Sequence, residues 1–173
     1  MQRLPIVIED ALVAWISAIL PAVTPIWANQ DGHRPAPPFV VLDIISGPFA
    51  LGTPEERYKS EDTYSYHLRK WATLNVQVVA PDALVRAAAI ANAIDLPSRQ
   101  AVLQAAGIAA HSAQGLRDIT TLQDTDHEIR ASLDIIISWP EPVDDSPGEI
   151  RSVRVAGEID SLSVDKTIAI EEE

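Results

Sequence analysis

Apolar and polar positions alternate most regularly in two stretches. In WATLNVQVVA, Leu74, Val76 and Val78 point one way and Thr73, Asn75 and Gln77 the other. In HEIRASLDIIISW, Ile129, Ala131, Leu133, Ile135, Ile137 and Trp139 share one face, and Glu128, Arg130, Ser132, Asp134, Ile136 and Ser138 the other. A period of two predicts strands of a sheet with one face buried. The second strand, His127–Trp139, would span on the order of 43 Å at ~3.3 Å per residue, long for so small a domain, so it is expected to run past its own core and pair with something.

Helical spacing appears in three places. Ile8, Leu12, Trp15 and Ile19 form a stripe over Ile6–Leu20, widened by Val13, Ile16 and Leu20. Its polar side carries Glu9 and Asp10 and no Lys or Arg, which favours a core helix over one lying on a membrane. Pro81 ends the first strand, Asp82 is placed to N-cap, and Leu84, Ala87, Ala88, Ala91 and Ile94 follow on one predicted face. A shorter helix covers Ser98–Ala106, with Gly107 as its stop.

Between these elements, residues 21–38 hold five prolines and read as a loop or extended connection. Phe39–Ser46 reads as a strand, and Ile108–Ser112 and Gly115–Thr121 as two shorter strands or a strand and a turn. The polar segment Gly47–Tyr66 reads as a long loop carrying or leading to Tyr58, Tyr64 and Tyr66. It is either a solvated hairpin tip or a contact surface for another subunit. Pro140, Pro142 and Pro147 mark a boundary. Beyond it, the alternating pairs Val153/Val155, Leu162/Val164 and Ile168/Ile170 predict a β arm too small to hold a core of its own. The fold class expected is α+β: a mostly antiparallel sheet with helices packed on one face, residues 1–140, plus an acidic C-terminal β arm, residues 141–173.

Charge and composition narrow the function. The 173 residues carry 25 Asp/Glu against 13 Lys/Arg, a net of −12. Residues 141–173 hold ten acids and three bases, hence −7 of that total. Such a chain is a poor nucleic-acid binder, because counterion release needs Lys and Arg. No cysteine is present, which excludes disulfides, thiolate zinc sites and a cysteine nucleophile. Glu9 and Asp10 fall where a secretory h-region would lie, and the longest apolar run, Ala11–Val23, is short of a membrane span. The expectation is a soluble protein, with no membrane association, that stays in the compartment where it is made.

Candidate chemistry is sparse. Asp43 and Asp134 interrupt the matching tetrapeptides LDII at 42–45 and 133–136. On neighbouring strands they would resemble an acid/base dyad, whereas the phasing of Asp134 with Glu128 and Arg130 argues for a solvent-facing position. His33, His67, His111 and His127 have no paired spacing, and no P-loop, GxGxxG or GxSxG is present. No catalytic, cofactor-binding or metal-binding residue is assigned, and the chain is read as a non-enzyme.

The order of elements resembles the neck terminator or tail terminator (tail completion) proteins of long-tailed bacteriophages. The likeness is carried by the N-terminal helix, the proline-rich connection into PPFVVLDIIS, the hairpin into WATLNVQVVAPDALVRAAAIANAI, and HEIRASLDIIISWP after the acidic DTDHE. It covers residues 1–140, and the extension beyond departs from simpler terminators. The resemblance implies a structural virion protein at the head–tail junction. It would form a homo-hexameric ring that caps the tail tube, ends its polymerisation and meets the neck connector, with DNA passing through unbound. Residues suggested for contacts are Tyr58, Tyr64, Trp139, Val153, Val155, Ile168 and Ile170. Rival readings are a head-completion or connector protein, a small non-viral ligand- or metal-binding domain using the histidines, and an adaptor whose acidic arm is the ligand peptide.

Overall fold

A computed structural model describes residues 4–28, 33–60, 63–123, 126–146, 152–159 and 162–169. Three helices, α1 (Ile6–Ile19), α2 (Ala83–Ala93) and α3 (Pro97–Ala105), pack against a six-stranded mixed sheet. The strands are β1 (Thr24–Trp27), β2 (Phe39–Ala50), β3 (Glu55–Ser60), β4 (Thr63–Val79), β5 (Ala109–Asp118) and β8 (Arg130–Asp145). Their order is β1-β2-β4-β8-β5, with β3 alongside β4, and every pairing is antiparallel except β1 with β2. Two hairpins stand as separate sheets, β6 (Thr121–Gln123) with β7 (Asp126–Glu128) and β9 (Ser152–Ile159) with β10 (Leu162–Ala169).

The alternation read from the sequence is the register of the core. Leu74 lies opposite Ile135, Val76 opposite Leu133, Ala72 opposite Ile137 and Val78 opposite Ala131, and all eight are fully buried. Val40 and Leu42 extend this apolar layer onto β2, and Leu12, Trp15 and Ile16 of α1 and Ile90 of α2 close over it. At ~25 cal/mol per Å² of apolar surface removed from water, this layer dominates the folding free energy. Arg99 on α3 donates to the Ala18 carbonyl at 2.6 Å and ties α3 to α1.

The end of α3 is dictated by its local sequence. Gly107, at φ +72°, donates to Gln104 O, and Ile108 donates to Leu103 O, both at 2.9 Å. This is the paired 5→2 and 6→1 closure of a Schellman motif, with Leu103 and Ile108 both buried beneath it.

Several expectations are corrected. The segment 21–38 contains β1, which joins β2 in parallel, so it is not all connection. Gly47–Tyr66 is not a loop: β2 continues to Ala50, β3 fills Glu55–Ser60 and β4 begins at Thr63. The strand expected over His127–Trp139 starts at Arg130 and runs through Pro140 and Pro142 to Asp145. Ile108–Thr121 holds β5, broken by register shifts at Ala110/Ser112 and Gln114/Arg117, and the first residue of β6. In α2 the buried face is Ala83, Ala87, Ile90 and Ala93, and Leu84 is 48% exposed. Asp82 makes no capping bond; its carboxylate accepts from Arg86 Nε at 2.5 Å, and that bond lowers its pKa.

Candidate interaction surfaces

β4 and β8 stay paired from Val79↔Arg130 to Tyr64↔Asp145, farther than the helices cover. Burial on β8 ends at Trp139, and Pro140 through Ser146 are all exposed. The polar, charged composition that hides this part of β4 and β8 in the sequence is what a strand solvated on both faces requires. With β3 added to the outer flank of β4, the result is a three-stranded ribbon projecting beyond the core.

Cross-strand contacts hold the ribbon. The Tyr58 and Tyr64 rings meet edge to face at 6.0 Å. Lys59 Nζ reaches over β4 to Asp144 at 2.5 Å, and Lys70 lies 3.4 Å from Glu141. The hydrogen bonds from Lys59 and Ser65 hold the Asp144 carboxyl below the ordinary carboxylate range. Partial desolvation, with Glu56, Asp145 and Tyr64 close by, pushes the Tyr66 hydroxyl up. Pro140 and Pro142, two residues apart and so on the same side of β8, have no N–H to offer. Together with the short β1 and the twice-shifted β5, they leave the sheet with blunted edges.

The suggested contact residues separate on this frame. Tyr58 is 70% exposed and its partner Tyr64 half-buried on the ribbon. Trp139 is 4% exposed and belongs to the core cluster, so most of its indole is used within the subunit. In the β9–β10 hairpin, Val153 pairs with Ile168 and Val155 with Lys166. Ile170 lies outside the described residues.

Asp43 and Asp134 do not form a dyad, because β4 lies between their strands. They occupy one register row, Asp43↔Asn75↔Asp134↔Gln114, across the face opposite the helices. Asn75, 5% exposed, donates through Nδ2 to Asp134 Oδ1 at 2.6 Å and Ser132 Oγ at 2.9 Å, and its Oδ1 accepts from Gln77 at 3.0 Å. Arg117 lies 3.8 Å from the other Asp134 oxygen. Every heteroatom of the Asn75 side chain is thus used, which is the arrangement of a satisfied structural network.

A cleft of about 550 Å³ opens where the ribbon leaves the core, lined by Glu55, Arg57, His67, Arg69, His111 and Ser138 among others. Glu55 takes up Arg57 at 3.0 and 3.2 Å, and His111 Nε2 shares a hydrogen bond with the Ser138 hydroxyl at 2.7 Å. His67 and His111 line the same cleft although no sequence spacing relates them, because the β4–β8–β5 pairing brings their strands together. No cluster of metal-ligating side chains occurs among the described residues.

The projecting β4–β8 ribbon, the helix-covered sheet and most of the β9–β10 hairpin fall within a single family model. Residues 7–166 match that of the phage neck terminator proteins. The chain belongs to the phage neck terminator family. No curated protein matches it. The family is structural and non-enzymatic, so this terminator-family chain is a structural protein of the tail–neck junction. The match runs past Pro140, through β9 and into β10, so residues 141–166 of the extension lie within the family's span. Membership places the chain among phage proteins, against the reading of a non-viral domain. No helix among the described residues is long and apolar enough to cross a membrane.

Proposed function

We propose that this neck terminator protein closes into a homo-hexameric ring on the head-proximal end of the tail tube, ends tube polymerisation there and presents its other side to the neck connector. In this reading it resides in the virion, at the head–tail junction. The observation that carries the proposal is the three-stranded ribbon. A subunit that folds alone gains nothing from extending two strands past its core, whereas a ring needs a surface that each copy lends to the next. Tyr58 and Tyr64 give that ribbon an aromatic face suited to a protein contact.

Residues 1–140 form the body in this proposal, and 141–173 the arm, rooted on the end of β8. Val153, Val155, Ile168 and Ile170 are its apolar contacts. The acidic excess of the chain suits a conduit through which DNA passes without adhering.

Light scattering of the purified chain tests the ring. A closed hexamer gives six times the subunit mass of 18.8 kDa, and binding to purified tail tubes is confined to one end. A strict monomer that ignores tubes contradicts the proposal.

A further inference from the structure

The cleft at the foot of the ribbon has a charge character opposite to that of the chain around it. In a protein of net charge −12, its lining brings together Arg57, Arg69, His67 and His111 against one acid, Glu55. That acid is engaged with Arg57. Arg69 is exposed and has no ion-pair partner among the described residues. The acids nearest along β8 are already matched, Glu141 with Lys70 and Asp144 with Lys59. The Ser138 hydroxyl and the His111 ring stand beside the cationic groups as further polar partners. An exposed guanidinium that shares a cleft lining with two imidazoles and a hydroxyl suits a carboxylate.

Chain length puts the acidic segment at the end of the arm within reach. β8 ends at Asp145, beside the cleft, since Pro142 and Pro140 lie opposite His67 and Arg69. β9 begins seven residues later at Ser152, and the hairpin register returns Ala169 opposite Ser152. The arm therefore folds back on its own root. Glu172, three residues beyond Ala169, is tethered within roughly 40 Å of Asp145 at ~3.5 Å per residue, and the cleft lies inside that radius. Such a tether holds the acidic segment at an effective concentration near millimolar, so a weak ion-pair contact suffices to seat it.

We propose that the cleft lined by Arg57, His67, Arg69 and His111 is the docking site for the chain's own acidic segment, Glu171–Glu173, which clasps the arm back onto the ribbon. This docking is independent of the ring, because it needs only one chain.

The chain has no cysteine, so an introduced pair reports on docking without interference. In dilute protein carrying Ala109→Cys and Glu172→Cys, mild oxidation closes an intrachain disulfide only when the two Cα atoms come within ~7 Å. Closure is expected about tenfold faster than for Val85→Cys with Glu172→Cys, where the first cysteine sits on the exposed part of α2. Adding Arg69→Glu slows closure several-fold, Arg69→Lys retains most of it, and raising the salt slows it in the unmodified background. Equal rates for the two cysteine pairs, indifference to Arg69→Glu, or links formed only between chains each overturn the proposal. Ring assembly, read by light scattering on the same samples, is scored separately.

Discussion

Asn75 Nδ2 donates to Asp134 Oδ1 at 2.6 Å across the β4–β8 pairing, and Asp43 occupies the same register row on the other side of Asn75. The amide therefore stands between two carboxylate positions in the centre of the sheet. Replacing it with Asn75→Asp substitutes a third carboxylate of the same shape and removes the donor. The expected loss is on the order of 1–3 kcal/mol of unfolding free energy, the cost of leaving a desolvated acceptor unpaired. Urea titration at neutral pH measures it, and an unchanged midpoint would show that the row carries no stability.

Gly47 sits at φ +90°, where an added Cβ would lie 2.7 Å from the Trp71 carbonyl oxygen. Gly52, at φ +72°, has open space around the same position. Gly47→Ala is expected to cost about 2–4 kcal/mol, combining the left-handed backbone penalty with a clash against β4 backbone. Gly52→Ala should cost only the backbone part, about 1–2 kcal/mol. Thermal unfolding of the two variants side by side checks the difference.

On α2, Ile90 is fully buried and Leu84 is 48% exposed. Ile90→Ala should lose about 2–5 kcal/mol and Leu84→Ala less than about 1 kcal/mol. Denaturant melts giving equal losses would mean the helix is rotated from the face described.

The Lys59–Asp144 contact makes the ribbon sensitive to acid. Asp144 has its pKa lowered below 3.8 in the folded chain, chiefly by the hydrogen bond from Lys59. A lowered carboxylate pKa contributes stability that is complete above the unfolded value and lost as pH falls through the folded one. Hydrogen exchange of the β8 amides beyond Trp139 should therefore be independent of pH above about 4, once corrected for intrinsic exchange rates, and lose protection below 3.8. Asp144→Asn should abolish that step. A step that persists in the variant assigns it elsewhere.

What the sequence made legible follows from how residues are solvated. The even-numbered residues of β4 and the odd-numbered ones of β8 alternate because one face meets the helices, and that pattern is visible without a partner strand. The ribbon is solvated on both faces: EERYKS carries no such alternation, and in TYSYHLRK the alternation of Tyr64, Tyr66 and Leu68 with Ser65, His67 and Arg69 rests on amphipathic tyrosines among charged residues, so both read as loop. β1 is only four residues long and contains Pro25, which masks it. The phase of α2 was misread by one position because a run of alanines weighs all faces alike. Asp43 and Asp134 stand out singly, but their link through Asn75 exists only in the register. Trp139 is the last residue of the alternating face of β8 and is buried there, as the alternation predicts.

The central claim is that this chain ends tail-tube growth. Electron microscopy of particles made by a phage lacking the protein measures this directly, through tail length. The account predicts tubes of uncontrolled length, with normal length and head attachment restored when the protein is supplied. Tails of normal length that merely fail to join heads would contradict it and identify the chain as a connector one layer above.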